Sequence, residues 1–235
     1  MLANPDAGLG NRLLAALPAE AYQRLLPQLE DVSFSLGEVV YESGAQMKHV
    51  YFPTTSHISL LYTMIDGSTA EMGLVGNEGV VGIALFMGGE TTPNRAMVQG
   101  GGAACRMKAR AMLDEFEQGG DFQHLLLRYT QALITQISQT AVCNRLHSVE
   151  QRLCRWLLMT HDRADSDELQ MTHEFISNML GVRREGVTMA AKRLQEMGMI
   201  SYVRGHIIIR DRKQLLERVC ECYQVVKDEH ARLLP

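Results

Sequence analysis

Arg183 and Arg184 stand side by side at the head of a segment with helical apolar spacing, and Glu185 follows them directly. Guanidinium groups placed there can fork onto a guanine edge or meet a phosphate, and a neighbouring carboxylate can accept from cytosine N4. Val187, Ala190, Ala191 and Leu194 recur at i, i+3, i+4 and i+7, the stripe of a buried helix face. Glu185, Thr188, Met189 and Lys192 are left on the opposite face. Ahead of this segment, Thr172 predicts an N-cap and Gly181 a stop for a shorter helix, with Phe175, Ile176, Met179 and Leu180 on its buried side. Behind it, Ser201 to Val203 and His206 to Arg210 are β-rich runs around Arg204-Gly205, which predicts a hairpin. Two short helices joined through a glycine turn and followed by a hairpin make a winged helix-turn-helix.

Local charge bears on whether such a unit touches DNA or only packs. From Arg183 to Lys213 there are eight Lys and Arg residues (183, 184, 192, 193, 204, 210, 212, 213) against three acids (185, 196, 211), whereas the whole chain carries a net charge of −4. A cationic island in an acidic protein is the footprint of a phosphate-binding surface. The expected contacts come from a recognition helix spanning 183–197. Arg184 and Glu185 face base edges, while Arg183, Thr172, Thr188, Lys192 and Arg204 meet phosphates or neighbouring edges, and Met189 lies among them.

Other residues with chemical potential resolve more plainly. Cys143 and His147 are spaced i, i+4 as two ligands of a metal or haem site would be, but no third ligand lies nearby in sequence, so a buried thiol and a capping imidazole, with no metal, are expected. Cys220 and Cys222 would strain a disulfide if both sat on one helix. Five scattered cysteines predict reduced thiols rather than a disulfide framework. Gly73, Gly76 and Gly79 lack the spacing of a dinucleotide fingerprint, and neither a Gly-x-Ser-x-Gly elbow nor an HExxH motif occurs. No catalytic constellation is visible and an enzyme is not expected. The fourteen methionines read as adaptable core filler.

These residues must be positioned by the rest of the chain. At 235 residues, 46% hydrophobic and 21% charged, it suits two modest globular domains. No apolar run spans a bilayer and MLANPDAGLGNRLL lacks a signal-peptide core, so a soluble cytoplasmic protein with no membrane partner is expected. Residues 1–8 are expected to be disordered, and 9–29 to form a helical lead-in interrupted at Pro18 and stopped near Pro27. The signal then turns to β: VSF, VVY, HVYF, HISLLYTM, TAEMGLV, RAMVQ and AACRM alternate with glycine turns, and Asp66-Gly67 marks a hairpin. That pattern means a sandwich, jelly roll or small barrel. A helix over 107–118 ends at Gly119-Gly120, and a long helix runs over 121–146. Its Leu126, Tyr129, Leu133, Ile137, Thr140 and Asn144 form an apolar seam that turns polar, which predicts a homodimer interface. Ser148 and Gln151 form a capping box for the next helix, ADSDEL reads as an acidic loop, and 211–234 as a last helix. The domains expected are 1–120, the long helix 121–147, and 148–235.

The chain resembles the cAMP receptor protein and fumarate-nitrate regulator (Crp/Fnr) superfamily of bacterial transcription regulators over about residues 10–225. The segment LGVRREGVTMAAKRLQEMGMI (180–200) is similar to the family pattern LGxSRExVxRxLxxLxxxGLI, and VGNEGVVGIALFMGG (75–89) to the glycine-rich core of its effector domain. The resemblance implies an α+β fold: a cyclic-nucleotide-binding-like β-roll, a long dimerisation helix and a C-terminal winged helix-turn-helix. It implies a homodimer on near-palindromic double-stranded DNA, RNA polymerase as a further partner, and a small effector near Gly82, Asn94, Arg95 and Ser138. It also implies that an effector acts by repacking 138–144 of the long helix. Arg184 and Glu185 match the family's base-reading pair, but Met189 replaces the arginine that follows, and Met cannot donate two hydrogen bonds to guanine. Ile83 falls where the family's ribose-holding Glu stands, and Asn94-Arg95 where its phosphate-holding Arg-Ser stands, so the pattern departs from a cyclic nucleotide site and the effector stays unidentified. The N-terminal cysteines of the iron–sulfur branch are absent, so no such cluster is expected. The other reading is a small-molecule sensor acting on protein partners, its helix-turn-helix a packing element.

Overall fold

The structure, a computed structural model, describes residues 8–234. The disorder expected over 1–8 therefore lies, Gly8 apart, outside the described residues. The chain forms two compact units: one holds the chain up to Leu60, Leu74–Ile134 and the segment from Glu229, and the other Leu61–Gly73 with Thr135–Asp228.

In the first unit the lead-in is α1 (Arg12–Ala15) and α2 (Ala19–Leu25), broken at Pro18 as expected, with a short 3-10 turn over Leu26–Gln28. Each of the β-rich runs forms a strand: β1 (Glu30–Phe34), β2 (Val39–Tyr41), β3 (His49–Pro53), β4 (His57–Thr63), β5 (Thr69–Val75), β6 (Arg95–Gly100) and β7 (Gly102–Lys108). They build two sheets, ordered β1-β7-β3 and β2-β6-β4-β5, the first antiparallel with Phe52 opposite Cys105. Val50 and Phe52 alternate inward on β3, as do Ala96 and Val98 on β6, and all four are buried. Each such Val or Phe contributes about 1.5–3 kcal/mol by leaving water. After α3 (Ala109–Glu117), Gly119 and Gly120 at φ of +78° and +77° turn the chain into α4 (Gly120–Leu146). Tyr129 of α4 lies so close to Gly79 that a Cβ there would come within 2.5 Å of its ring, so the roll admits only glycine at that point.

The interface expected along α4 needs correction. Leu126, Tyr129 and Leu133 are each buried within the chain's own fold. The face left exposed runs through Leu127, Gln131, Ile134, Ser138, Ala141 and Arg145, at steps of four and three. A helix that is apolar on two sides carries two overlapping seams, and periodicity alone picks neither.

In the second unit, Asp66-Gly67 turns the β4–β5 hairpin as expected, with Asp66 Oδ1 accepting from the Ser68 amide at 2.9 Å. The capping box at Ser148 and Gln151 opens α5 (Val149–His161). Its Trp156 is buried and donates from Nε1 to Glu71 Oε1 at 3.1 Å, and Arg155 Nη2 donates to Thr140 Oγ1 at 3.0 Å. The helix-turn-helix follows as α6 (His173–Leu180) and α7 (Arg184–Glu196). The wing is larger than expected. ADSDEL is not wholly a loop, because β8 (Glu168–Gln170) pairs with β10 (His206–Ile209), which pairs in turn with β9 (Ile200–Val203). Only Leu169 of β8 is buried, so three residues leave no pattern to read. The expected last helix is also two, α8 (Arg212–Arg218) and α9 (Cys222–Leu233).

Candidate nucleic-acid interface

Thr172 caps α6 by accepting from the Phe175 amide at 3.1 Å, and Gly181 at φ +59° ends that helix in the left-handed conformation. Ile176, Met179 and Leu180 are buried as expected, while Phe175 is half-buried and tilted against Trp156 at 6.5 Å. On α7, Val187, Ala190, Ala191 and Leu194 are buried, so the opposite face must point outward. The residues singled out in sequence, Thr172, Arg183, Arg184, Glu185, Thr188, Met189, Lys192 and Arg204, are all exposed.

Their polar groups are not equally available. Arg183, Arg184 and Arg204 make no ion pair with a carboxylate among the described residues. Lys192 meets Glu196 at 3.7 Å, an exposed i,i+4 pair that competing anions displace readily. The Thr188 hydroxyl donates to the Arg184 carbonyl at 3.0 Å and lies 3.1 Å from His173 Nδ1, so it is tied to the start of α7. Nothing in the sequence pattern singles out His173. Its ring stacks on Tyr202 of β9 at 4.0 Å, joining α6 to the wing, and burial followed by the charge of Arg184 lowers its pKa below the usual histidine value. Near neutral pH this face thus owes its positive charge to arginine and lysine. The cationic island is partly committed elsewhere: Arg193 and Arg218 share Glu150, and Arg212 holds Asp162 and Tyr223.

At the wing tip, Arg204 and Gly205 have φ of +48° and +87°, the paired positive values of a two-residue type I′ turn. Met189 is 59% exposed in the middle of the outward face of α7, a large apolar side chain with no core to fill. Such a group suits a thymine methyl rather than a guanine edge.

The residues expected near an effector are differently placed. Gly82 is buried at φ +107°, beside half-buried Ile83. Asn94 accepts from the Tyr41 hydroxyl at 2.6 Å and donates to Thr92 Oγ1 at 2.8 Å. Arg95 pairs with Glu42 at 3.3 Å. Ser138 is exposed on α4 in the second unit.

Comparison with known proteins follows this division. Residues 31–118 match the cyclic nucleotide-binding domain and residues 151–218 the Crp-like helix-turn-helix domain. No curated protein matches the chain in sequence. Among solved structures, FixK2 from Bradyrhizobium japonicum aligns with a TM-score of 0.70 at 17% identity, over 82% of this chain and 98% of that one. A Crp-family transcriptional regulator from Thermus thermophilus aligns at 0.68 and 17% identity, over 80% and 95%. The c-di-GMP-responsive global regulator of Xanthomonas campestris aligns at 0.65 and 14% identity, over 82% and 99%. At these identities the structures speak for the fold, and the two domain matches add the β-roll and the helix-turn-helix in the order in which the chain presents them. The chain belongs to the Crp/Fnr superfamily of transcription regulators, with a helix-turn-helix DNA-binding domain.

Proposed function

We propose that this regulator reads a near-palindromic operator as a homodimer, with α7 in the major groove. The observation that carries the reading is the row of exposed arginines, Arg183 and Arg184 at the N-terminal end of α7 and Arg204 at the wing tip, free of carboxylate partners among the described residues. Arg184 and Glu185 read base edges, Met189 packs on a thymine methyl, and Arg183, Lys192 and Arg204 meet phosphates. Thr172 caps α6, Thr188 lies one turn into α7 with its hydroxyl on the Arg184 carbonyl, and both face the duplex. The partner copy packs on the exposed face of α4 at Leu127, Ile134 and Ala141, a heptad spacing that suits a two-helix seam. Among the described residues no helix is long and apolar enough to cross a membrane, which agrees with a cytoplasmic regulator.

A cyclic nucleotide is not part of the proposal. Ile83 has no acceptor for a ribose hydroxyl, and Asn94 stands where a second phosphate-holding charge would be needed, whatever the response of the Xanthomonas campestris relative to c-di-GMP. The test is selection of bound fragments from random and genomic DNA by the purified protein with no ligand added. Enrichment of a palindrome with half-sites about one helical turn apart supports the reading. A folded, dimeric protein that enriches nothing, with or without added nucleotides, overturns it in favour of a sensor acting through protein partners.

A further inference from the structure

We propose that Cys143, His147, Cys220 and Cys222 form a tetrahedral zinc site, a set of three thiolates and one imidazole that closes the end of α4 onto the corner between α8 and α9. All four residues lie in the second unit, and their ligand atoms stand within 4.8 Å of one another. The Cys143 and Cys220 sulfurs are 3.6 Å apart, and Cys222 Sγ is 3.4 Å from His147 Nδ1. Zn–S bonds of about 2.3 Å and a Zn–N bond of about 2.0 Å, set tetrahedrally, give S···S edges of about 3.8 Å and S···N edges of about 3.5 Å. These two edges need only small adjustment to take the ion, and the remaining ones, none above 4.8 Å, close by at most about 1 Å.

Two local features point to a ligand rather than to idle thiols. The first is the imidazole. Nδ1 faces the sulfurs while Nε2 faces Glu221 Oε2 at 3.3 Å, the carboxylate–histidine pairing that orients a metal-bound imidazole. A core that merely collected thiols would have no use for a ring nitrogen turned into it. The second is the break in the chain between α8 and α9. On an unbroken helix, residues two apart point in very different directions. Ending α8 at Arg218 and restarting at Cys222 brings Cys220 and Cys222 to one side, although neither glycine nor proline interrupts the segment. Cys143 and His147 complete the set from one helical turn, the His147 amide donating to the Cys143 carbonyl at 3.1 Å.

The three thiols are buried and His147 is mostly so, which suits a closed four-donor structural site with no open position for catalysis. As each S–Zn bond forms, the thiol proton leaves to solvent. Three thiolates, a neutral imidazole and Zn2+ sum to one negative charge, and the Arg155 guanidinium stands near enough to act on Cys143 electrostatically.

The experiment uses the full chain without a histidine tag, purified under reductant from zinc-replete cells. Elemental analysis is expected to find stoichiometric zinc that survives dialysis. Replacement by Co2+ is expected to give thiolate-to-cobalt charge-transfer bands and the intense visible bands of a tetrahedral ion. Cys143→Ser, Cys220→Ser and Cys222→Ser are expected to lose the zinc, whereas Cys105→Ser and Cys154→Ser keep it. His147→Cys is expected to retain the metal on four thiolates with a shifted cobalt spectrum, which separates ligation from mere folding. Glu221→Gln is expected to weaken zinc affinity about 10–100-fold. A folded wild-type chain that takes up no Co2+ through thiolate overturns the proposal. So does zinc retained in full by Cys143→Ser and Cys222→Ser, a Cys143–Cys220 disulfide in the reduced preparation, or iron with the absorption of an iron–sulfur cluster.

Discussion

The β-roll and the α7–wing face both carry polar residues that the sequence singles out as candidates, yet the two regions treat them in opposite ways. In the roll, Asn94 is hydrogen-bonded to Tyr41 and Thr92, and Arg95 faces the exposed Glu42 carboxylate at 3.3 Å, so each group already has a polar neighbour. On α7 and the wing, Arg183, Arg184 and Arg204 reach solvent with no carboxylate partner among the described residues, while nearby Arg193, Arg212 and Arg218 are paired with carboxylates. Position in a motif makes a residue a candidate. What its polar atoms already bind decides whether it has anything left to give. Charge left uncompensated costs little in water and yields counterion release when a phosphate arrives.

The comparison can be strained at several strengths. The largest effect is expected from Trp156→Ala, which removes a buried ring and leaves Glu71 without its indole donor. A loss of about 3–5 kcal/mol is expected in urea unfolding. DNA binding would then fail through loss of the scaffold beneath α6 and α7. Arg184→Ala is expected to weaken specific binding by about 1–3 kcal/mol in a competition titration while the unfolding midpoint stays where it is. Retained specificity would remove Arg184 from the reading set and leave the uncompensated charge as a phosphate contact alone. Arg95→Ala is expected to do least: within about 1 kcal/mol in stability, as for other exposed ion pairs, and nothing in operator affinity. A marked loss of operator binding in that variant would break the comparison, because it would make the roll's ion pair part of the DNA response.

How much is legible in the sequence follows from where the information lies along the chain. The helix-turn-helix can be read nearly to the residue because its signals are local: Thr172 caps, Gly181 stops, and Val187 to Leu194 keep one period. The strands of the roll are legible for the same reason, each bounded by glycine or a turn. β8 escapes because three residues with one buried leucine make no pattern. The face of α4 is misread because Leu126, Tyr129 and Leu133 serve the chain's own core while Leu127 and Ile134 do not, and both rows are apolar. The sulfur cluster is illegible for a different reason. Cys143 and Cys220 lie 77 residues apart, and only the fold brings a third candidate ligand to Cys143 and His147.

The wing tip carries a consequence for how this protein would change under selection. Arg204 sits at φ +48°, a conformation that an L side chain adopts at a cost of about 1 kcal/mol or more and that glycine adopts freely. Arg204→Gly is therefore expected to raise the melting temperature of the winged unit while reducing the salt dependence of DNA binding by about one phosphate contact. Evolution under heat alone would drift toward the glycine. On the proposed reading, an arginine at that turn trades a little stability for a phosphate contact.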